Sequence, residues 1–285
     1  MKTTQKNQVK IYGPANQYSI RKIFLEGLHG YKEGFYLARL FVFRDFKAKY
    51  KTSYIGYIWE VAPSISTALV WIFLRSSGAV SLEETPIPFP AFVLIGNIMW
   101  SVISESLSKP MEMFIKNSAI ITKINIPKES LLLMGFFNIL ISHAIKMILV
   151  VLVLIFFGLM PSLSFLYFIP IFLATVVLFM SIGVLLLPLE YMLPDIARIK
   201  QYGLMFFMYF APVMYMIPKQ GFLSSIMRWN PVSYVIDGLR NSISGLPVNN
   251  DVFFMVYGIV ALGFFLIATV LYRVMSPIII QRISA

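Results

Sequence analysis

The segment 44–74 joins a cluster of basic side chains to an apolar run of membrane length. Its four basic residues lie within eight positions of the chain: Arg44, Lys47, Lys49 and Lys51. The run that follows, residues 55–74, holds one charged residue, Glu60, and about 20 mostly apolar residues are enough to cross a bilayer. Basic residues beside such a run stay on the cytoplasmic side, and their long side chains place the charge at the level of the lipid phosphates. The segment therefore marks where the chain enters the membrane, and it presents cations to phosphate groups there.

The sequence lacks the motifs of an ATPase or a hydrolase. Neither the phosphate-binding pattern GxxxxGK followed by Ser or Thr, nor HExxH, nor GxSxG is present. The chain has no cysteine and only two histidines, which excludes thiolate chemistry and leaves few ligands for a transition metal. No pair of carboxylates has a spacing typical of acid–base catalysis. We therefore predict a protein that is not an enzyme and holds no metal or cofactor, so that another chain or an ion gradient must supply the energy for any transport.

Two ionisable residues, His143 and Lys146, lie deep within an apolar run of the sequence. They are about one helical turn apart and share one face of a helix. Because ionisable groups inside a membrane are costly, they face a bundle interior or water, so the lining of a channel and a structural hydrogen bond are both open. Carriers coupled to protons or sodium ions usually hold acidic groups inside the membrane. Here Glu60 and Glu105 lie near the ends of predicted spans, which argues against ion coupling.

The composition predicts an all-α integral membrane protein. Of the 285 residues, 58% are hydrophobic and 13% charged, whereas soluble domains carry about 25% charged residues. The net charge of +11 is explained by Lys and Arg on the cytoplasmic face rather than by binding of nucleic acid. Six transmembrane helices are predicted, at about residues 55–74, 88–106, 130–157, 164–189, 201–218 and 252–272.

The basic residues orient these six spans. With both termini in the cytoplasm, the inner segments hold 19 Lys and Arg residues and the outer segments 4, as the positive-inside rule requires. We predict a cytoplasmic N-terminal extension (1–34), an amphipathic surface helix (35–51) whose apolar stripe includes Arg44 and Lys51, and a cytoplasmic tail (276–285). Residues 219–251 are too apolar for a free loop and too interrupted for a span. They predict two short re-entrant helices in the outer leaflet, broken at Asn230–Pro231.

Residues 44–63 resemble the opening signature of the membrane subunit of ABC polysaccharide exporters. They read RDFKAKYKTSYIGYIWEVAP, against a family pattern of about RDxKxRYKxSxLGxxWxxxxP. Lys49 and Ile55 depart from it mildly, since Arg and Leu are usual there. Further similarity lies in residues 117–127, in 211–215 (APVMY), and in Asn230–Pro231 with Arg240. Pro194 stands where the family has an Arg before Asp-Ile. The resemblance covers residues 35–275.

The resemblance implies an ATP-driven exporter in the cytoplasmic (inner) membrane of a bacterium. Two copies of this chain would form a homodimer and pair with two copies of a separate ATPase, which would bind ATP and Mg. A channel between the two permeases would pass a polysaccharide carried on undecaprenyl pyrophosphate, such as an O-antigen of lipopolysaccharide biosynthesis, a capsule or a teichoic acid. The implied partners are thus the ATPase, a second copy, the lipid-linked glycan and membrane lipids.

Three sets of residues acquire roles under this resemblance, each with a simpler alternative. Lipid-pyrophosphate binding is assigned to Arg44 and Lys51, and then to Lys47 and Lys49; membrane anchoring is the alternative. A coupling contact with the ATPase, or else packing on the chain's own bundle, is assigned to Met111, Phe114, Ile115, Ile120, Ile121 and Ile124. Contact with glycan in the channel, or else an interfacial belt, is assigned to Tyr54, Tyr57, Trp59, Tyr209, Tyr215, Trp229 and Tyr234.

Three other functions are compatible with the sequence. The chain could be an ABC permease that exports a small amphiphile or drug. It could also be an ATP-independent carrier, or a membrane enzyme that acts on a polyprenyl lipid. Copurification of an ATPase and the choice of stimulating substrate discriminate among these functions.

Overall fold

The computed structural model describes residues 19–51, 56–80, 83–121, 123–124 and 126–284, with side chains described for all but 20, 50, 51, 56, 57 and 281–284. Over these ranges the fold is all-helical, without a strand. The ten α-helices are α1 (Ile20–Lys51), α2 (Gly56–Ser76), α3 (Phe89–Lys116), α4 (Ser118–Ile121), α5 (Glu129–Phe156), α6 (Phe165–Met192), α7 (Pro194–Phe207), α8 (Phe222–Trp229), α9 (Pro231–Ser244) and α10 (Asp251–Ser284).

Among the described residues, five helices are long and apolar enough to cross a membrane. They are Ile58–Ser76, Phe89–Lys116, Glu129–Phe156, Phe165–Met192 and Asp251–Ile280, which confirms the predicted first four spans and the sixth. Helix α3 is central and packs against α2, α5, α6 and α9. In its most apolar stretch 72% of the residues are buried, against 11% in α2. The chain is therefore a multi-pass membrane protein built around α3, with α2 at its periphery.

The fifth span was predicted as one helix over 201–218, and these bounds are wrong. Helix α7 begins earlier, with Pro194 as its first residue, and ends at Phe207. A 3-10 turn, Met208–Phe210, follows, and Ala211 is extended (φ −127°, ψ 152°). The physical reason is Pro212, because a proline disfavours helical geometry in the residue before it.

The surface helix was predicted over 35–51, but the structure extends it back to Ile20 as part of one 32-residue helix. Gly34 does not interrupt α1; it allows close packing, since a Cβ at this position would meet the backbone of Ser130 in α5 at 3.0 Å. The predicted boundary between extension and domain at 34/35 thus lies inside a helix.

The two short helices predicted for the segment after α7 are confirmed as α8 and α9, and they divide at Asn230–Pro231. Asn230 caps α9, because its side-chain oxygen accepts a hydrogen bond of 3.0 Å from the backbone N–H of Val232. Pro231 occupies the first helical position, where its missing N–H costs nothing. Gly245 ends α9 in the left-handed conformation (φ 78°).

Arg240 fixes the irregular segment after α7 against the core. Its side chain is fully buried and donates hydrogen bonds to the carbonyl oxygens of Pro212 and Val213. The guanidinium lies 3.6 Å from the ring centre of Phe92 in α3 and forms an ion pair of 3.0 Å with Asp237. Carbonyl groups that no helix satisfies are thereby paired inside the protein, as a low-dielectric interior requires.

Candidate functional site

The basic cluster at the end of α1 is organised by Asp45. One carboxylate oxygen of Asp45 accepts hydrogen bonds from Nε and Nη2 of Arg44, at 3.0 and 2.8 Å. The other oxygen lies 2.7 Å from Nζ of Lys116, the last residue of α3. The Arg44 guanidinium also lies 4.7 Å from the ring centre of Phe41. Asp45 thus joins α1 to α3 through Lys116, and it also binds Arg44, its neighbour on α1.

Asp45 stays ionised because of these two cations. Burial alone would favour its neutral form, but Lys116 and Arg44 beside the carboxylate hold its pKa below the ordinary value. The Asp45 side chain is 11% exposed, whereas those of Arg44 and Lys116 are each 50% exposed. Both cations therefore reach water or a lipid headgroup while they hold a partly buried anion between them.

A second carboxylate holds Lys49. The Lys49 ammonium lies 2.5 Å from one oxygen of Glu60 in α2, and the other Glu60 oxygen accepts a hydrogen bond of 2.7 Å from Ser142 in α5. Glu60 therefore links α1, α2 and α5. We use "cationic corner" for Arg44, Lys49 and Lys116 with their two carboxylates, Asp45 and Glu60.

The remaining two basic residues of the predicted phosphate site lie differently. Lys47 is exposed and forms no ion pair with any residue whose side chain the structure describes. Lys51 is the last residue of α1, and its side chain is outside the described part of the chain. The structure thus brings Arg44 and Lys49 to internal carboxylates and leaves Lys47 open.

His143 and Lys146 belong to a buried polar network that continues inward from Glu60. The Lys146 ammonium pairs with Glu105 of α3 and donates a hydrogen bond of 3.0 Å to Ser101. Ser101 is also 3.1 Å from Nε2 of His143, and Nδ1 of His143 is 3.0 Å from the Ile139 carbonyl oxygen. The network joins α3 to α5 and neutralises the charge of Lys146 inside the bundle.

Two of the six apolar residues predicted to contact an ATPase are buried in the chain itself. Phe114 and Ile121 belong to one core cluster with Val42 of α1. This burial corrects the prediction for these two residues, because it leaves them no surface for a partner. They hold the end of α3 and the short α4 against α1.

The other four members of this set retain some exposure. Ile115 and Ile124 are exposed, and Met111 and Ile120 are half-buried. Ile115 directly precedes Lys116 of the cationic corner. The exposed surface of the segment 115–124 therefore adjoins the side chains that reach Asp45.

The predicted glycan-contacting aromatics do not form one surface. Trp59 is exposed near the start of α2, while Tyr215 packs at 6.2 Å against Trp71, near the other end of α2. Twelve helical residues separate Trp59 from Trp71, or about 18 Å. Tyr215 also donates a hydrogen bond to the Tyr209 carbonyl oxygen. Tyr54 lies outside the described residues, as does the side chain of Tyr57.

The other two aromatics of this set line a cleft at the far end of the bundle. The cleft measures about 680 Å³ and lies between α8, the start of α9 and the start of α10; its lining residues are Arg228, Trp229, Pro231, Tyr234, Asn250, Asp251, Val252 and Phe253. Tyr234 packs on Phe253 at 5.1 Å and donates a hydrogen bond of 2.9 Å to the Arg228 carbonyl oxygen. Trp229 remains largely exposed.

Comparison with known proteins assigns this architecture to a family. The ABC-2 type transporter family matches residues 36–244, most of the chain and all of the cationic corner. The chain belongs to the ABC-2 type transporter family. Two O-antigen export system permease proteins, each named RfbA and from Klebsiella pneumoniae, are 27% and 28% identical to this permease over 222 residues, covering 75% of the chain and 82% of each relative.

Membership in this family settles the type of protein. An ABC-2 membrane domain is a transmembrane permease that lacks an ATPase, and ABC-2 permeases pair with ATPase subunits. This confirms the prediction that the chain is not an enzyme. It also confirms the resemblance drawn from the residues around Arg44.

The sequence did not predict a role in the permease's cationic corner for three of its residues. Asp45 stood in the quoted motif without a role, and Glu60 was considered only as an acid near a span end. Lys116 was counted only toward charge bias, because it is 71 positions from Asp45 and no local spacing connects them. The signal available in sequence was that Asp45 directly follows Arg44.

Proposed function

We propose that this permease exports an undecaprenyl-pyrophosphate-linked polysaccharide across the cytoplasmic membrane of a bacterium, driven by a separate ATPase. The cationic corner carries this proposal. Arg44, Lys49 and Lys116 converge beside the start of the first span, where a lipid diphosphate at headgroup level would lie. Arg suits a diphosphate because its planar fork binds two oxygens at once. The names of the two relatives, which state O-antigen export, support the same substrate class.

The proposed topology has six crossings, with both termini in the cytoplasm. Helix α7 and its 3-10 turn form the fifth crossing, and α8 and α9 re-enter from the outer side. The bias of 19 inner against 4 outer basic residues supports this orientation. The cleft beside Trp229 then opens at the outer face, where an emerging glycan would meet it.

The proposed assembly is a homodimer of permeases with two ATPase subunits, which bind ATP and Mg. The ATPase contact falls on the exposed members of the set of apolar residues assigned to the coupling contact, above all Ile115 and Ile124. Apolar knobs of this kind enter a groove on a partner. Phe114 supports this surface from within the core.

The test of this function measures ATP hydrolysis by the copurified complex in lipid nanodiscs. We expect undecaprenyl-pyrophosphate-linked glycan to stimulate hydrolysis and lipophilic drugs to leave it unchanged. Arg44→Ala is expected to abolish most of this stimulation without lowering basal hydrolysis or membrane abundance. Arg198→Ala is the matched control, because Arg198 forms a highly exposed pair with Asp195 on α7.

Three results would contradict this function. Stimulation by drugs instead of the lipid-linked glycan would assign the chain to export of small amphiphiles. Full stimulation of the Arg44→Ala complex would remove the cationic corner from substrate binding. A permease that copurifies with no ATPase would contradict export driven by a separate ATPase.

A further inference from the structure

Asp45 already occupies the position that an anionic ligand of Arg44 and Lys116 would need. Its two oxygens are divided between them, one facing Nε and Nη2 of Arg44 and the other facing Nζ of Lys116 at 2.7 Å. Carboxylates and phosphates bind the Arg fork in the same bidentate geometry. A phosphate that approaches Arg44 must therefore share or replace the Asp45 contact.

The same arrangement recurs at Lys49. Its ammonium lies 2.5 Å from Glu60, while Ser142 holds the other Glu60 oxygen at 2.7 Å. If Lys49 turned to another anion, Glu60 would keep its bond to Ser142. Lys49 and Lys116 are thus each paired with a carboxylate on another helix, and Arg44 with its neighbour Asp45 on α1.

These contacts are weak enough to exchange. Arg44, Lys49 and Lys116 are 50%, 56% and 50% exposed, while Asp45 and Glu60 are 11% and 15% exposed, and water on the cationic side of an ion pair screens it and lowers the cost of exchanging the partner. A diphosphate that joins a polyprenol to a sugar has no secondary ionisation of the kind that phosphate monoesters show, so it carries about −1 on each phosphate and roughly −2 in total, and it attracts the two cations more strongly than one carboxylate does. A neutral headgroup has no such advantage.

We propose that Asp45 and Glu60 are internal counter-anions, which hold the cationic corner while no substrate is bound and yield it to the diphosphate of the incoming lipid. This inference rests on the proposed function and concerns the regulation of the same site. One consequence is that the site selects lipids by charge, since only a headgroup more anionic than a carboxylate displaces Asp45 and Glu60. A second consequence is mechanical, because release of Lys116 from Asp45 removes the ion pair between α1 and the end of α3, beside exposed Ile115, and leaves the apolar contact of Phe114 with Val42 in place.

The decisive measurement is binding of undecaprenyl pyrophosphate to the full-length permease in phosphatidylcholine nanodiscs. Removing a competing anion strengthens binding, so Asp45→Asn and Glu60→Gln are each expected to bind this lipid about two- to fivefold more tightly than wild type. Lys116→Gln is expected to bind more weakly. If Asp45 only fastened α1 to α3, Asp45→Asn and Lys116→Gln would change binding in the same direction, and that result would overturn the proposal.

Matched variants separate competition from net charge. Asp195→Asn and Glu112→Gln make the same charge changes at carboxylates paired with Arg198 and Lys109, and we expect wild-type binding from both. Equal tightening by these controls would overturn the proposal. Undecaprenol, which lacks the diphosphate, is expected to bind all variants equally. A change in undecaprenol binding would also overturn the proposal. If Asp45→Asn and Glu60→Gln bind inorganic pyrophosphate more tightly than wild type but bind the lipid no more tightly, the assignment to a lipid headgroup would be overturned.

The proposed function and this inference fail in different ways. If wild-type permease does not bind undecaprenyl pyrophosphate, or if Arg44→Ala binds it equally well, the lipid-diphosphate site itself is wrong and the inference falls with it. If binding requires Arg44 but Asp45→Asn binds no more tightly than wild type, the site stands and only the counter-anion role is wrong.

Discussion

The ion pair between Lys146 of α5 and Glu105 of α3 lies inside the helical bundle, where an isolated charge is costly. Lys146 is 4% exposed and contacts both Glu105 and Ser101. Such an ion pair stabilises a protein little more than a pair of apolar side chains of the same size would. Loss of one partner, however, leaves an uncompensated buried charge. Single and double substitutions of the pair are therefore expected to change the free energy of unfolding by different amounts.

We expect Lys146→Met to lower the free energy of unfolding by about 3–5 kcal/mol. The double variant Lys146→Met with Glu105→Gln should recover most of this loss, because no charge then remains unpaired. Denaturant unfolding in one detergent, analysed as a double-mutant cycle, measures both. Lys109→Met is the control, since its partner Glu112 is half-exposed; a loss for Lys146→Met no larger than for this control would contradict the prediction.

Sequence reasoning located these residues only in part. It placed His143 and Lys146 deep in a span, because apolar residues surround them for many positions. It placed Glu105 at a span end, because the apolar run stops there, whereas α3 continues to Lys116. Glu105 was therefore not recognised as the partner of Lys146. Packing on α5 and α6 sets the length of α3, and hydropathy alone does not predict that length.

The contact between α3 and α6 depends on a glycine. A Cβ on Gly183 of α6 would meet the backbone carbonyl of Leu107 and would lie 3.1 Å from Cγ of Pro110, both in α3. Backbone atoms in a packed helix cannot withdraw as a flexible side chain can. Gly183 therefore sets the distance between the two helices.

We expect Gly183→Ala to lower the free energy of unfolding by about 1–3 kcal/mol, the usual cost of overpacking. Gly258→Ala in α10 is the control, because nothing lies within 4 Å of a Cβ there and Ala has the better helix propensity. It should be neutral or stabilising. Equal thermal unfolding of the two variants would show that α6 shifts to accept the methyl group.

At the level of elements, the sequence predicted the apolar spans well and the fifth crossing poorly. Spans one to four and six can be recognised because each is a continuous run of apolar residues. Helix α7 has no buried residue and mixes Arg198 and Lys200 with apolar side chains, so its start was not recognised. Its end depends on Pro212, and the carbonyls of Pro212 and Val213 are satisfied by Arg240, 28 and 27 positions away. Such a distant partner cannot be inferred from local pattern.

The orientation of the whole molecule depends on whether the segment after α6 crosses the membrane. Helix α7 has 14 residues and its 3-10 turn 3, which give a rise of about 27 Å in total. This nearly matches the hydrocarbon thickness of about 30 Å, although the helix alone is too short. A crossing here agrees with the packing of the helices, because Arg273 near the end of α10 donates a hydrogen bond of 2.9 Å to the Glu26 carbonyl oxygen of α1, which puts these two helix ends at the same end of the bundle.

Single cysteines decide this, because the chain has no cysteine of its own and so no background. We expect a membrane-impermeant maleimide to label Glu84→Cys and Asn249→Cys in right-side-out vesicles, and to label Ala119→Cys and Arg198→Cys only after permeabilisation. All four positions are exposed, so lack of labelling reports sidedness rather than burial. The decisive pair is 198, in the second turn of α7, and 249, which follows α9, because most of the fifth crossing lies between them. If both react from the same side, the segment after α6 does not cross the membrane and the proposed topology of six crossings is wrong.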